Sequence, residues 1–454
     1  MDVEEKVVLE RVLEVLKAAG AEGDAFFEHR RSLRLHVREG RLEEIQRAEV
    51  QGVGIRAIRE GRLGFVHTSA ADPEKVVEAA KQAVDVLRFA TPREDLALAP
   101  PAGPGDGSDE GAALAIYDAS LEKRPLREKQ DWITSAEAIG RGADPKIKKT
   151  EGASYDENLT GTWLANTRGL FRHYRKSGVS ASLQVIAEDA GEMQPGETEI
   201  QVGSWDALGD PGALARRASE RALRLLGGRP VPTGRYPVLF SPEAGFAPLV
   251  YLTVALRGDH IARGRSWLAD RADPLLASPL VTVHDAMRMP GGPATVPFDG
   301  EGIDTRDLTL LEQGKIAGRM CDLAAAKRLG AQSTGSSRRG GYESLPEIGG
   351  GNISIAPGTQ KLEEIVAGID RGLWVWGLSG WWIGLDPSNS DFSSAAFGLW
   401  IEKGKPVRPV ARVTVAGSIP EIFRGIEAIA DDLVWDGPLK TPSFRVKELA
   451  VSGS

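Results

Sequence analysis

Cysteine is nearly missing from this 454-residue chain, with Cys321 standing alone. One thiol excludes an intramolecular disulfide and any zinc site built from several cysteines. Histidine is scarce as well. His29, His36, His67, His173, His260 and His284 are the full set, no two of them lie three to five residues apart, and no His-Glu dipeptide occurs. A helix-borne zinc site needs two imidazoles on neighbouring turns with a carboxylate beside them, so these histidines cannot build one. Positive charge is not in excess: the formal net charge is -8, which speaks against the basic footprint of a nucleic-acid binder. Long apolar runs are absent too. The longest, Leu249 to Leu256, falls far short of the roughly 20 residues that cross a bilayer. Met1-Asp2-Val3-Glu4-Glu5 carries no signal-peptide pattern, so the expected compartment is the cytoplasm, with no nucleic acid and no membrane as partner. Neither a phosphate-binding Gly-x-x-x-x-Gly-Lys-Ser/Thr loop nor a Gly-x-Ser-x-Gly nucleophile elbow is present.

What remains is an ordinary globular composition, 41% hydrophobic and 26% charged, long enough for two or three domains. Apolar residues at helical spacing predict a helix over 2–18. Short strands follow at 33–37, 42–47, 52–59 and 62–68, with turns at Glu39-Gly40-Arg41 and Glu60-Gly61. Asp72-Pro73-Glu74 opens a second helix, Asp as cap and Pro in the first turn. A breaker-rich linker occupies 99–112. Beyond it the pattern predicts a helix over 126–141, antiparallel strands at 146–155, 158–166, 170–187 and 192–204, and a helix over 211–226. After a second Pro/Gly-rich stretch at 229–234, strands dominate, broken by helices near 242–256, 320–329, 360–370 and 419–431. The expected class is α+β: an N-terminal region of antiparallel sheets with packed helices, then a β-rich C-terminal domain with a few helices. The expected domains are 1–98, 113–228 and 235–454.

Few segments carry candidate chemistry. Ser241-Pro242-Glu243 starts a helix whose residues Phe246, Leu249, Val250, Leu252, Val254 and Leu256 make it apolar nearly all round, fit for a core or for cover by a partner. Cys321, within a helical pattern, reads as a small buried apolar side chain. His284-Asp285 are strand neighbours and point to opposite faces. Asp299, Glu301 and Asp304 read as a solvated acidic turn, and Ser333 to Gly341, with Arg338 and Arg339, as an exposed loop. Five of the ten Trp residues, Trp374, Trp376, Trp381, Trp382 and Trp400, crowd one stretch and read as aromatic packing of a β-rich core.

Short motifs recur in a fixed order: Gly52-Val53-Gly54-x-Arg56, Gly61-Arg62-x-Gly64-Phe65, Leu164-x-Asn166-x-x-Gly169, Phe298-Asp299-x-Glu301-Gly302, Ser333-Thr334-Gly335, Gly349-Gly350-Gly351-Asn352, Ser390-Asp391-Phe392-Ser393 and Val415-Ala416-Gly417. Together they resemble the TldD/PmbA family, once called modulators of DNA gyrase, whose members work as two-subunit peptidases. The resemblance implies a catalytic TldD subunit with a helical His-Glu-x-x-x-His and a Cys in a Gly-rich loop before the last strand, beside a TldE/PmbA subunit without them. With Pro237-Val238-Leu239 and Gly258-Asp259 as anchors, the two His positions fall on Leu249 and Val254 and the Glu position on Val250; residues 431–439, which match the Cys loop, hold no Cys. The resemblance therefore implies the non-catalytic subunit: no catalytic residue and no metal of its own, zinc in a TldD-type partner, and an extended peptide as substrate of the heterodimer. It places Arg338, Arg339, Asn352, Asp391 and Phe392 near the peptide cleft. The alternative is a stand-alone homodimer that binds or presents peptides without cutting them.

Overall fold

The computed structural model describes residues 3–69, 72–101 and 108–453. Residues 102–107 of the expected linker lie outside the described residues, as does the first residue of the helix expected over 2–18. Strand outweighs helix, and the class is α+β. The N-terminal half runs α1 (Val3–Ala18), β1 (Glu22–Arg38), β2 (Arg41–Arg59), β3 (Arg62–Thr68), α2 (Pro73–Val86), the short α3 (Ser108–Ala113) and α4 (Ser120–Lys123), α5 (Leu126–Gly142), β4 (Ile147–Asn166), β5 (Phe171–Asp189), β6 (Glu192–Val202) and α6 (Pro211–Leu225).

Local chemistry sets the hairpins. Glu39-Gly40 and Glu60-Gly61 both take positive φ at the two turn residues (50° and 72°, 51° and 72°), the backbone twist that suits two-residue hairpins. Strand lengths depart from expectation. Residues 42–47 and 52–59 belong to one 19-residue strand, β2, and 146–155 and 158–166 to one 20-residue strand, β4. The exposed middle of β2 looks like a break in the sequence, yet its backbone stays paired to β1 from Arg41 to Ile58. Ladder hydrogen bonding continues whether or not the side chains are buried.

These strands form a single antiparallel sheet in the order β3-β2-β1-β4-β5-β6. β1 pairs directly with β4, from Asp24 opposite Asn166 to Val37 opposite Ala153, so segments on either side of the 99–112 stretch share one sheet. Alternation divides the faces of β1. Ala25 and Phe27 lie in the core beneath α1 and α2, and Leu33, Leu35 and Val37 in the core beneath α5 and α6. Asp24, Phe26 and Glu28 project from the other face, which meets the C-terminal domain.

That domain runs β7 (Gly234–Phe240), α7 (Pro242–Ala255), α8 (Gly258–Ala262), β8 (Val283–Asp285), β9 (Leu308–Glu312), β10 (Lys315–Ile316), α9 (Leu323–Leu329), β11 (Ser337–Arg338), β12 (Glu347–Ile348), β13 (Ile353–Ile355), α10 (Leu362–Ala367), β14 (Arg371–Ser379), β15 (Asp391–Glu402), β16 (Lys405–Ser418), α11 (Ile419–Arg424), β17 (Ile426–Ile429), β18 (Leu439–Lys440) and β19 (Phe444–Gly453). Its main sheet follows the order β16-β15-β14-β7-β19-β17, and a further β16–β19 pairing curls it round on itself. The helix expected over 419–431 is shorter. Ser418 and Glu421 close a capping box, the helix stops at Gly425, and the chain turns back as β17 to pair with β19. No helix among the described residues is long and apolar enough to cross a membrane.

The Gly52-Val53-Gly54 motif has a docking role. A Cβ on Gly54 would lie 2.2 Å from the Tyr342 carbonyl oxygen, and one on Gly52 would lie 2.3 Å from the Tyr342 ring. The bare strand lets the C-terminal domain seat against the sheet. Gly54→Ala is therefore expected to destabilise this docking by about 1–3 kcal/mol. Gly178→Ala, whose methyl meets nothing within 4 Å, should be neutral or stabilising by about 0.4–1 kcal/mol. Thermal denaturation of the two variants checks the contrast.

Candidate functional site

Helix α7 is built as its sequence suggests. Ser241 Oγ accepts from Ala244 N at 3.2 Å, and Pro242 takes the first turn. Leu249 is fully buried in the main core of the C-terminal domain, the cluster that also holds Phe240, Leu373 and Phe392. Val250 and Val254 are only half-buried, and with Phe246 they form a stripe at four-residue spacing. The three positions that the resemblance aligns with ligands and base are thus hydrocarbon, and one of them faces inward.

The loop before β19 is no better suited to a metal. Asp432 accepts from Ser443 N and Ser443 Oγ, each at 2.7 Å, and Asp436 is held by Arg217 and Lys440, each at 2.5 Å. Cys321 is buried as expected, and burial pushes its thiol up to about 11. Among the described residues no group of three or more His, Cys, Asp or Glu side chains stands in a metal-holding arrangement. The side chains present at the positions aligned by the resemblance do not fit zinc.

The expected cleft residues fall in three places. Asn352 is fully buried: its amide donates to Ala286 O and Thr295 Oγ1 at 2.8 Å, and its oxygen accepts from Ala294 N at 2.9 Å. Phe392 is interior and packs edge-on against Tyr251, while Asp391 beside it is exposed at the start of β15. Of the crowded tryptophans, Trp400 is buried, but Trp382 is 59% exposed. Its neighbour Ile383 is 83% exposed, and Trp381 joins this projection to Phe246 of α7 by an edge contact at 5.6 Å.

Arg338 and Arg339 come together at the seam between the six-stranded sheet and the C-terminal domain. The exposed loop expected for 333–341 is instead partly interior: Ser336 and Ser337 are fully buried and the Arg339 side chain is 1% exposed. The solvated turn expected for Asp299 and Glu301 is also overturned, since both are buried. Only Asp304 of that trio is exposed, and it pairs with Arg172.

The physical reason is counter-charge from the first sheet. Asp24 of β1 accepts from Arg56 Nε of β2 at 2.8 Å and from Arg339 Nη2 at 3.0 Å. Arg56 Nη1 also reaches Glu301 Oε1 at 3.5 Å. Glu301 Oε2 accepts from Leu323 N at 2.8 Å, and Asp299 accepts from the backbone N–H groups of Glu301, Ile303 and Ser337. Arg339 Nε donates to Gly300 O at 2.8 Å, and its guanidinium lies over the Phe26 ring. Burial alone would raise Asp24, but Arg56 and Arg339 outweigh it and hold its carboxyl below the usual range. Burial raises both Asp299 and Glu301. Arg56 stands within a motif quoted from the sequence. Asp24 gave no signal, because a lone acid at a strand's start looks like any surface residue.

Models of three PmbA/TldA metallopeptidase domains match the chain in succession: domain 1 over residues 23–86, the central domain over 119–226 and the C-terminal domain over 233–453. The metalloprotease PmbA of Escherichia coli O157:H7 is 24% identical over 460 residues, covering 100% of this chain and 98% of that protein. A metalloprotease TldD homologue of Buchnera aphidicola is 24% identical over 445 residues, covering 89% of this chain and 86% of its own. Among solved structures, TldE from Thermococcus kodakarensis aligns with a TM-score of 0.85 at 22% identity, over 98% of this chain and 99% of that one. A Thermotoga maritima protein described as a modulator of a DNA gyrase aligns with a TM-score of 0.86 at 24% identity, over 98% and 99%. These two share the fold. Relatives named PmbA and TldD match at equal identity, so overall identity does not separate the two types.

The raised Glu301 carboxyl gives a pH test with a definite sign. Folded Glu301 keeps its proton above the ordinary 4.5, so the native state binds more protons than the unfolded chain in that window and loses stability as pH rises through it. Glu301→Gln keeps an acceptor for Leu323 N and removes the charge, while Asp299 is unchanged. Thermal midpoints of the two proteins should nearly coincide at pH 5 and diverge towards pH 9 in favour of the variant; parallel profiles would count against the assignment.

Proposed function

The chain belongs to the PmbA/TldA metallopeptidase family, and we propose that it is the non-catalytic, TldE/PmbA-type subunit of a two-subunit zinc peptidase acting in the cytoplasm. The observation that carries this reading is the chemistry of α7. Hydrocarbon stands at Leu249, Val250 and Val254, and hydrocarbon neither binds a metal nor moves a proton. The loop before the last strand supports it, with Asp432 and Asp436 already engaged. In this reading a TldD-type partner holds the zinc, which supplies the activated water for peptide hydrolysis.

This chain's own contribution is to close the chamber and hold one side of an extended peptide. Main-chain hydrogen bonding of the peptide as an added strand accounts for low sequence preference, since every peptide offers the same backbone. The half-buried stripe of Phe246, Val250 and Val254 is linked through Trp381 to the exposed Trp382 and Ile383. A continuous apolar surface of this kind suits cover by a partner subunit.

Reconstitution tests the proposal. The purified chain alone should hold no stoichiometric zinc and cleave no unstructured peptide; mixed with a TldD-type chain it should form a heterodimer that holds zinc and cleaves. Trp382→Ser with Ile383→Ser should weaken that heterodimer at least tenfold, read by sizing and titration. A homodimer that ignores the TldD-type chain would favour the stand-alone peptide-binding protein instead, and cleavage by the chain alone would remove the non-catalytic assignment.

A further inference from the structure

Two of the hollows along the seam between the β1–β6 sheet and the C-terminal domain carry clusters of cations. The larger, about 490 Å³, lies between β6, α6 and the start of α7. Its cations have partners: Arg217 and Lys440 share Asp436, and Arg221 donates to the carbonyls of Glu197 and Trp376 at 3.0 and 2.9 Å. The smaller, about 330 Å³, lies under β1, β4 and β5 and differs in kind.

Register places the polar wall of the smaller hollow. Thr160 pairs with Lys176, and Thr162 pairs with both Glu28 and Tyr174, so these five side chains share the face turned to the C-terminal domain. The half-buried Lys176 side chain makes neither an ion pair nor a hydrogen bond with the described residues. On the opposite wall stand Arg338 and Arg339. Arg338 Nη1 donates to Gly335 O and Ser337 O, while its buried Nη2 has no acceptor. Arg339 spends Nε on Gly300 O and Nη2 on Asp24, while its buried Nη1 has no acceptor. The carboxylates that line the hollow are already engaged: Glu28 takes Arg30 at 2.6 Å, and Asp299 takes three backbone N–H groups. Burial, helped by Arg338, pulls Lys176 down to about 7, as expected for an ammonium lacking a counter-ion.

Buried donors without acceptors are uncommon in folded chains and point to a group supplied from outside. Three cationic side chains lining one hollow suit an oxyanion. Phe26, Val296 and Phe298 add an apolar patch beside the polar wall of Thr160, Thr162, Glu28 and Tyr174. A carboxylate attached to a short apolar body suits both parts. Two glycines let the arginine stems lie close to the backbone: a Cβ on Gly349 would lie 3.0 Å from Arg338 Cγ, and one on Gly300 would lie 3.1 Å from Arg339 Cγ.

We propose that this hollow binds the terminal carboxylate of a peptide, with Lys176, Arg338 and Arg339 holding the oxygens and the last side chain lying against Phe26 and Phe298. The choice of a peptide as the carrier rests on the peptide-handling role proposed above; the recognition of a carboxylate rests on the hollow itself.

Calorimetric titration of the purified full chain tests it with three probes: acetyl-Ala-Ala-Leu with a free C-terminus, the same peptide as its amide, and inorganic phosphate. The free acid should bind, the amide at least tenfold more weakly, and phosphate should not displace the acid. Lys176→Met should weaken the free acid at least tenfold while the thermal midpoint of the unliganded chain holds or rises, because Lys176 has no partner to lose. Equal binding of acid and amide, binding of phosphate in place of the acid, no binding of the acid, or an affinity unchanged in Lys176→Met would each overturn the proposal. A chain that binds the acid but never joins a TldD-type subunit keeps this assignment and loses the subunit reading; a chain that joins the subunit but ignores the acid does the reverse.

Discussion

Asp24 holds two parts of the chain in one place. It stands opposite Arg56 on the neighbouring strand, and it also receives Arg339 from a segment 315 residues away. A buried carboxylate between two guanidinium groups is costly to desolvate, and the attraction offsets that cost only while both partners stay in position. Loss of one partner would leave an uncompensated charge, typically a penalty of about 3–5 kcal/mol. The ion cluster thus acts more as a lock on geometry than as a source of stability. It fixes where residues 333–341 lie on the sheet, and with them Arg338, Arg339 and the backbone of Ser337 that caps Asp299. Glu301 joins the same lock through Arg56 and Leu323, and α9 is thereby tied to the first sheet.

How much of this was readable in advance depended on whether the cause was local. Hairpins at Glu39-Gly40 and Glu60-Gly61, and helix starts at Asp72-Pro73 and Ser241-Pro242, follow from residues a few positions apart, and they stand where the sequence places them. His284 and Asp285 do point to opposite faces, one exposed and one buried. The long strands were not readable, because the exposed polar middle of β2 has no local reason to remain extended; its reason is the ladder to β1. The seam was the least readable part. An acidic run between glycines, Asp299 to Asp304, has the composition of a surface turn, and the arginine that makes burial of Glu301 tolerable comes from 245 residues upstream. Lys176, Thr160 and Glu28 are three unremarked polar residues until the register of three strands sets them side by side.

α7 and the seam then show opposite departures from what stability alone would select. On α7 side chains that pack stand at the positions that the resemblance aligns with a peptidase's ligands and base, with Leu249 deep in the core and Val250 and Val254 on its margin. That exchange favours folding, since apolar burial is the main stabilising term. At the seam the bias runs the other way. A lysine without a counter-ion and two guanidinium nitrogens without acceptors each work against the folded state. Packing accounts for the helix; it does not account for the hollow. Groups that cost the free chain stability are explained when something outside the chain completes them, as strained or unsatisfied groups tend to gather where a protein meets its ligand. The unsatisfied polar groups of Lys176, Arg338 and Arg339 lie at the junction between the β1–β6 sheet and the C-terminal domain, and α7 is apolar. That division fits the proposed subunit, which would hold a substrate while a partner cuts it.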